Sequence, residues 1–327
     1  MRIPAAVSRA LSDHTPAFVA LTGAIAYFVP GAFAWVHGEV QTAILGLVML
    51  TMGLTLTAED FRILAARPFD ILIGAVAQYT LMPLIAFALV RGLGLPRGVG
   101  VGLILVGVCP GGVSSNIMSF LCRGDVAFSV GMTAASTLLA PLATPFLMKT
   151  LAGEMVDIDA FAMFRSVVLV TIAPVVLGFA VNRIFDAPSR PRLRKIREGY
   201  LPLLPGVAVL GLACIVGAVV AAQGERFLRS GAMIFVAVFL HNSLGYALGY
   251  AASVVARFAP KKRRTLAIEV GMQNAGLATV LATKHFPSLP EAALASAVSC
   301  VWHSLSGALM AGLFNFLDRI SSGRNAR

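Results

Sequence analysis

Apolar runs about as long as a bilayer is thick follow one another along almost the whole chain, and this repetition constrains the fold more than any motif does. Ten segments can be drawn, at about 15–36, 40–57, 69–92, 97–122, 126–152, 160–184, 200–221, 229–256, 265–286 and 290–317. A helix needs about 20 apolar residues to cross the hydrocarbon core, with every backbone amide paired inside the segment. The runs therefore predict an all-α polytopic membrane protein, with short connections and a single membrane domain over 1–327. Composition agrees: 58% of the 327 residues are hydrophobic and 13% are charged, about half the charge of a soluble domain. So little charge cannot cover a water-soluble enzyme or a disordered chain. The net charge of +11 therefore does not imply nucleic acid.

Basic residues indicate how the segments thread. Arg2, Arg9, Arg62, Arg67, Arg123, the runs 183–197 and 257–264, and Arg319, Arg324 and Arg327 fall on one side, nineteen in all. Arg91, Arg97, Lys149, Arg226, Arg229 and Lys284 fall on the other, six in all. The positive-inside rule predicts a multi-pass protein of the cell membrane with both termini cytoplasmic, as an even number of spans requires. The runs Arg190–Arg197 and Lys261–Arg264 read as topology signals on solvated loops rather than as lipid-binding patches. The first run is too long for a signal peptide's apolar region, so it is expected to be a retained span. Cys109, Cys122, Cys214 and Cys300 form no CxxC pair. With the five histidines they give no zinc signature, and neither a disulfide framework nor a resident cofactor is expected.

Five spans per half is an odd number, so two homologous halves, 15–152 and 160–317, would sit inverted in the membrane. Segment four reads VGVCPGGVSSNIMSF and segment nine reads IEVGMQNAGLATVL. Both are apolar helices interrupted by glycine and small polar residues at corresponding places. Segment three carries Gln78 where segment eight carries His241, Asn242 and Ser243. Interrupted helices in matching positions point to a transporter's binding site.

Glu269 is the one acidic residue well inside a predicted span. A charge there costs at least about 2.5–3.5 kcal/mol, so it must pair with a cation, bind one or hold a proton. A salt bridge would fall to Arg165, the available intramembrane cation. Gly271, Gln273, Asn274 and Gly276 follow within two turns. Unwinding there would add backbone and amide oxygens to the carboxylate, hard ligands suited to an alkali cation. In the matching break, Cys109 to Asn116, Pro110 and two glycines end one helix. The restart after them favours an anion, and Ser114, Ser115 and Asn116 can cap it or lend oxygens to a cation. Gln78, the pair Ser129 and Thr133 one turn apart, and His303 with Ser304 are lesser polar candidates. A single hydroxyl in a membrane helix more often bonds its own backbone, and a histidine satisfied by a neighbouring helix is at least as good a reading as a substrate contact.

CPGGVSSN on segment four, EVGMQN on segment nine and VWHSLSG on segment ten together resemble the bile acid:sodium symporter family, in order and over essentially the whole chain. The resemblance implies ten helices in two inverted five-helix repeats, core and panel domains, and broken, crossing helices 4 and 9. It implies one sodium site at Ser115, Asn116, Ser129, Thr133 and Glu269. A second is implied at Gln78, Glu269, Gln273 and the carbonyls of Val270 and Met272. The organic anion is expected near Gly112, Val113, Ser114, Asn274, His303 and Ser304. Ser304 departs from the asparagine that relatives often carry there, which leaves the substrate open between a bile salt and a smaller carboxylate. The expected function is sodium-coupled import of that anion by alternating access. The alternative is a proton-coupled carrier with Glu269 as the proton site. A hydrolase built on Ser304 or Ser306 with His303 lacks any supporting motif, and no enzyme is expected. The partners implied are sodium ions, the anion and membrane lipids, without nucleic acid or an obligate protein partner.

Overall fold

The computed structural model describes residues 2–112, 114–187 and 189–325. Sixteen α-helices follow in order among them: α1 Arg2–Asp13, α2 Thr15–Phe28, α3 Gly38–Thr55, α4 Ala58–Ala66, α5 Pro68–Gly92, α6 Arg97–Val108, α7 Ser114–Leu121, α8 Val126–Ala152, α9 Ala160–Val167, α10 Ala173–Phe185, α11 Pro191–Tyr200, α12 Leu204–Gln223, α13 Glu225–Val255, α14 Pro260–Gly271, α15 Ala275–His285 and α16 Pro290–Asn325. No strand occurs among the described residues; the one β-type contact is an isolated bridge between Gly111 and Gln273.

Among the described residues seven helical stretches are long and apolar enough to cross a membrane: α3, α5, α8, α9 with α10, α11 with α12, α13 and α16. The remaining apolar segments of the sequence are built differently. α2 stops after 14 residues. Segment four divides into α6 and α7, and segment nine into α14 and α15. Proline in the first turn starts α2, α5, α11, α12 and α14, where its missing N–H would have had no partner. Asp125 and Asp159 cap α8 and α9 by accepting from Phe128 N and Ala162 N, the local reason those spans begin where they do. A π-turn at Val168–Ile172 joins α9 to α10, absorbing Pro174 without ending the span.

Three helices outside the apolar segments, α1, α4 and α11, were not expected. The run Lys261–Arg264 is also not a solvated loop. It forms the first turns of α14, where Lys262 pairs with Asp70 of α5 beneath the rings of Phe128 and Phe258. Arg264 forks onto the carboxylate of Asp318 on α16. The run Arg190–Arg197 is helical from Pro191 onward. Its Arg197 turns inward to Asn182 and Asp186 while Arg192, Arg194 and Lys195 stay exposed.

The helices pack in two sets. α3 runs along α10 and α12, and α2 along α12. In the other set α13 lies on α14 and α5, α15 and α6 lie on α16, and α5 lies on α6 and α8. α6 is buried from Gly98 to Val108, which places the first break at the centre of that set.

Candidate functional site

The two broken segments meet. Pro110 cannot continue α6, and the residue before it is forced into extended backbone, as Cys109 is at φ −74°, ψ 157°. Met272, after α14, is extended too, at φ −101°, ψ 98°. The segments lie antiparallel, with Gly112 N donating to Met272 O at 2.9 Å and Asn274 N donating to Pro110 O at 2.8 Å. Glycine is required by the approach: a Cβ on Gly112 would stand 2.9 Å from the carbonyl oxygen of Gln273. Asn274 then caps α15, its Oδ1 accepting from Leu277 N at 3.0 Å.

Glu269, 1% exposed, lies one turn before this crossover. Ser115 Oγ stands 2.6 Å from its Oε1, Ser129 Oγ makes a short contact to the same oxygen, and Thr133 Oγ1 stands 2.9 Å from Oε2. Each hydroxyl also faces a second acceptor: Ser115 the Gly112 carbonyl at 2.6 Å, Ser129 and Thr133 the Asn116 Oδ1 at 2.8 and 3.3 Å. A hydroxyl has one hydrogen, so three hydrogens serve six oxygen–oxygen contacts. Lone pairs are in excess, and positive charge is what such a cluster lacks. Arg165 does not provide it: that side chain is exposed on α9, and among the described residues Glu269 has no ion pair.

Of the second predicted set, hydrogen bonds join Gln78, Gln273 and the Val270 carbonyl, while the Met272 carbonyl accepts from Gly112 N and the Glu269 carboxylate faces the hydroxyl cluster. Gln78 Nε2 donates to Gln273 Oε1 at 2.6 Å and reaches Cys109 O at 3.4 Å, while Gln273 Nε2 donates to Val270 O at 2.7 Å. Gln78 Oε1 is buried without a hydrogen-bond partner. Sequence reading missed Asn242, which it only noted as the counterpart of Gln78: its Nδ2 donates to Gly271 O at 2.7 Å.

A cavity of about 450 Å³ lies on the open side of the crossover, between the two sets of helices. Gly112, Ser114, Asn274, His303 and Ser304 line it, together with Asn116 and Gln273; Val113 lies outside the described residues. His303 is 3% exposed and its Nδ1 hydrogen-bonds the Gln273 carbonyl at 3.3 Å, so much of its polarity is turned to the backbone. The opposite wall escaped the sequence reading. Met49, Thr51, Met52 and Thr55 of α3 form it, on one helical face whose only signal was i, i+3, i+4 spacing. Among the lining residues Asp60 alone carries a charge, and it is tied to Thr57 N and Oγ1 at 2.7 and 2.8 Å.

A buried oxygen cluster beside two interrupted helices and a cavity is the equipment of a membrane transport protein. The family model for the sodium bile acid symporter family matches residues 42–230. A sodium-dependent transporter of Bacillus subtilis (strain 168), YocS, described as uncharacterized, is 42% identical over 294 residues, covering 90% of this chain and 88% of its own. The probable sodium/metabolite cotransporter BASS1, chloroplastic, of Oryza sativa subsp. japonica is 38% identical over 97% of this chain and 76% of its own. Its namesake in Arabidopsis thaliana is 37% identical over 94% and 75%. The chain belongs to the sodium bile acid symporter family. It is a membrane protein of a sodium-dependent transporter class, and that class is not enzymatic.

Proposed function

We propose that this chain is a symporter that imports an organic anion across the cell membrane with sodium, by alternating access. The observation that carries the reading is the hydrogen shortage around Glu269: six close oxygen contacts share three hydroxyl hydrogens. A sodium ion held by Ser115, Asn116, Ser129, Thr133 and Glu269 relieves it with hard oxygen ligands. A second ion takes Gln78, Gln273, Glu269 and the carbonyls of Val270 and Met272; the unpartnered Oε1 of Gln78 fits that role. Both ions offset the carboxylate and draw the crossover together.

Ten spans follow if α2 and the two broken pairs are counted with the seven long stretches. Inverted repeats over 15–152 and 160–317 are supported by the exchange at the crossover. Pro110 and Met272 accept, and Gly112 and Asn274 donate, each as the counterpart of the other. Gln78 reaches Cys109 O as Asn242 reaches Gly271 O. The core is then α5–α8 with α13–α16, and the panel α2, α3, α9–α10 and α12. With both termini cytoplasmic, as the basic residues favour, the cavity opens inward past Thr15, Thr55 and Asp60. The anion binds between core and panel through Ser114, Asn274, His303, Ser304 and the amides at the starts of α7 and α15, without a side-chain cation. Its class is a carboxylate, bile salt or smaller metabolite. Rocking of the core against the panel would expose the site alternately, with sodium favouring the anion-binding state and the anion favouring sodium in return.

The test is the thermal unfolding midpoint of the purified protein in detergent, sodium titrated against potassium at constant ionic strength, for wild type and Glu269→Ala. A ligand at about 100 times its dissociation constant stabilises by about 2.7 kcal/mol. A sodium-specific rise that the variant lacks is expected. Equal behaviour in both salts, with a rise on acidification instead, would hand the site to a proton.

A further inference from the structure

The segment between α14 and α15 can act as an ion ligand only if particular carbonyls are turned toward the ion, and unwound backbone does not choose by itself. Four carbonyls are freed from the helix ladder there, and each is held by a different donor. Val270 O accepts from the side chain of Gln273, and Met272 O accepts from Gly112 N of the first break. Both donors belong to the crossover. The intervening carbonyl is held from outside it, Gly271 O accepting from Asn242 Nδ2 on α13 at 2.7 Å. Gln273 O accepts from Ala275 N at 2.9 Å and also meets His303 Nδ1 on α16 at 3.3 Å.

Asn242 is fully buried, and besides the Gly271 carbonyl its amide meets the Tyr246 hydroxyl one turn on. The approach of α13 to this point is tight. A Cβ on Gly271 would enter the ring of Tyr246, and one on Gly245 would stand 3.0 Å from the Cα of Gly271. His241 fixes the same turn to α5 through the Met82 carbonyl at 3.1 Å. A rigidly seated donor therefore meets the one carbonyl that separates Val270 from Met272.

We infer that Asn242 is a positioning residue for the coupling ions. By holding the Gly271 carbonyl toward α13 it sets the register of the unwound segment, so that the carbonyls of Val270 and Met272 face Gln78 and Glu269. His303 fixes the far end of the same register. This rests on the sodium reading given above and assigns the choice of ligating carbonyls to a residue that touches neither ion nor anion. A donor misplaced there lets the Gly271 carbonyl swing and takes a ligand from the second ion, while the first, built from side chains of α7, α8 and Glu269, keeps its set.

The experiment is equilibrium binding of radioactive sodium to the purified protein, for wild type, Asn242→Leu and Asn242→Ala, with Ser306→Ala as a control. Leucine matches asparagine in size and alanine leaves its space, and neither can donate to the Gly271 carbonyl. The control removes the Tyr246–Ser306 bond between α13 and α16 and leaves the Tyr246 ring on Gly271 and the Asn242 amide in place. Loss of one well-placed hydrogen bond corresponds to about tenfold in affinity. The expected result is one component of the sodium isotherm weakened about tenfold in the Asn242 variants, with the other component and the Ser306→Ala isotherm unchanged. Asn242 isotherms within twofold of wild type, or an equal shift in Ser306→Ala, would overturn the inference while leaving the sodium reading in place. A wild type that binds no sodium would remove the reading itself, and this inference with it. If Asn242→Leu does not fold, the alanine variant carries the same comparison.

Discussion

At the scale of single residues, a carboxylate sealed among hydroxyls is a strained arrangement unless something positive joins it. Burying an ionised group without full compensation is unfavourable, and Glu269 has three hydroxyl partners but no cationic side chain among the described residues. Glu269→Gln keeps the shape, removes the charge and adds two hydrogens to a cluster short of them. Its unfolding midpoint in sodium-free buffer is expected to lie above that of wild type, by an amount equivalent to about 1–3 kcal/mol, while its sodium-dependent rise disappears. Calorimetry or fluorescence melting reads both. A variant less stable than wild type in potassium would contradict this account of the site. Asp60 belongs to the same scale. The single charge on the cavity wall has the sign of the expected cargo, so recognition falls to neutral donors.

Helix ends decide where these residues stand, and one of them serves two purposes that can be separated. Asn274 caps α15 through its Oδ1 and also lines the cavity. Asn274→Asp keeps the capping oxygen and adds a charge that an anion must oppose; Asn274→Ala loses the cap, at about 1 kcal/mol. Melting is expected to separate them, with aspartate near wild type and alanine lower, while both weaken anion binding. The breaks themselves are legible in the sequence, because proline, paired glycines and a lone carboxylate have few readings inside an apolar run. Glu269, Ser115, Asn116, Ser129 and Thr133 lie within hydrogen-bonding distance of one another across three elements. What escaped was of two kinds. The surface helices α1, α4 and α11 are short and rich in charge, so hydropathy passes over them, and the basic turn of α14 reads as a loop for the same reason. The α3 wall and Asn242 escaped because a threonine, methionine or asparagine in a membrane helix carries no mark of which neighbour it faces. Only packing tells that, and packing is long-range.

For the whole molecule, orientation is the property to measure. Thr55 lies at the cavity mouth at the end of α3, and Lys149 is exposed near the end of α8, on the opposite side if both termini are cytoplasmic. Thr55→Cys is expected to react with an impermeant maleimide in inside-out vesicles and to be protected in right-side-out ones, with Lys149→Cys behaving in the opposite sense. Labelling of Thr55→Cys from the outside would reverse the topology. The bridge between Gly111 and Gln273 bears on how such a molecule is made. Peptide groups near residue 110 find their partners about 160 residues further along the chain, and at about 5–20 residues per second the ribosome needs roughly ten to thirty seconds to deliver them. Through that interval the first break sits in a half-built protein, where an unpaired amide facing hydrocarbon costs several kcal/mol. Biogenesis of this fold therefore requires the insertion machinery to shelter an unfinished junction. Translation itself keeps the time for the moment when the two halves close.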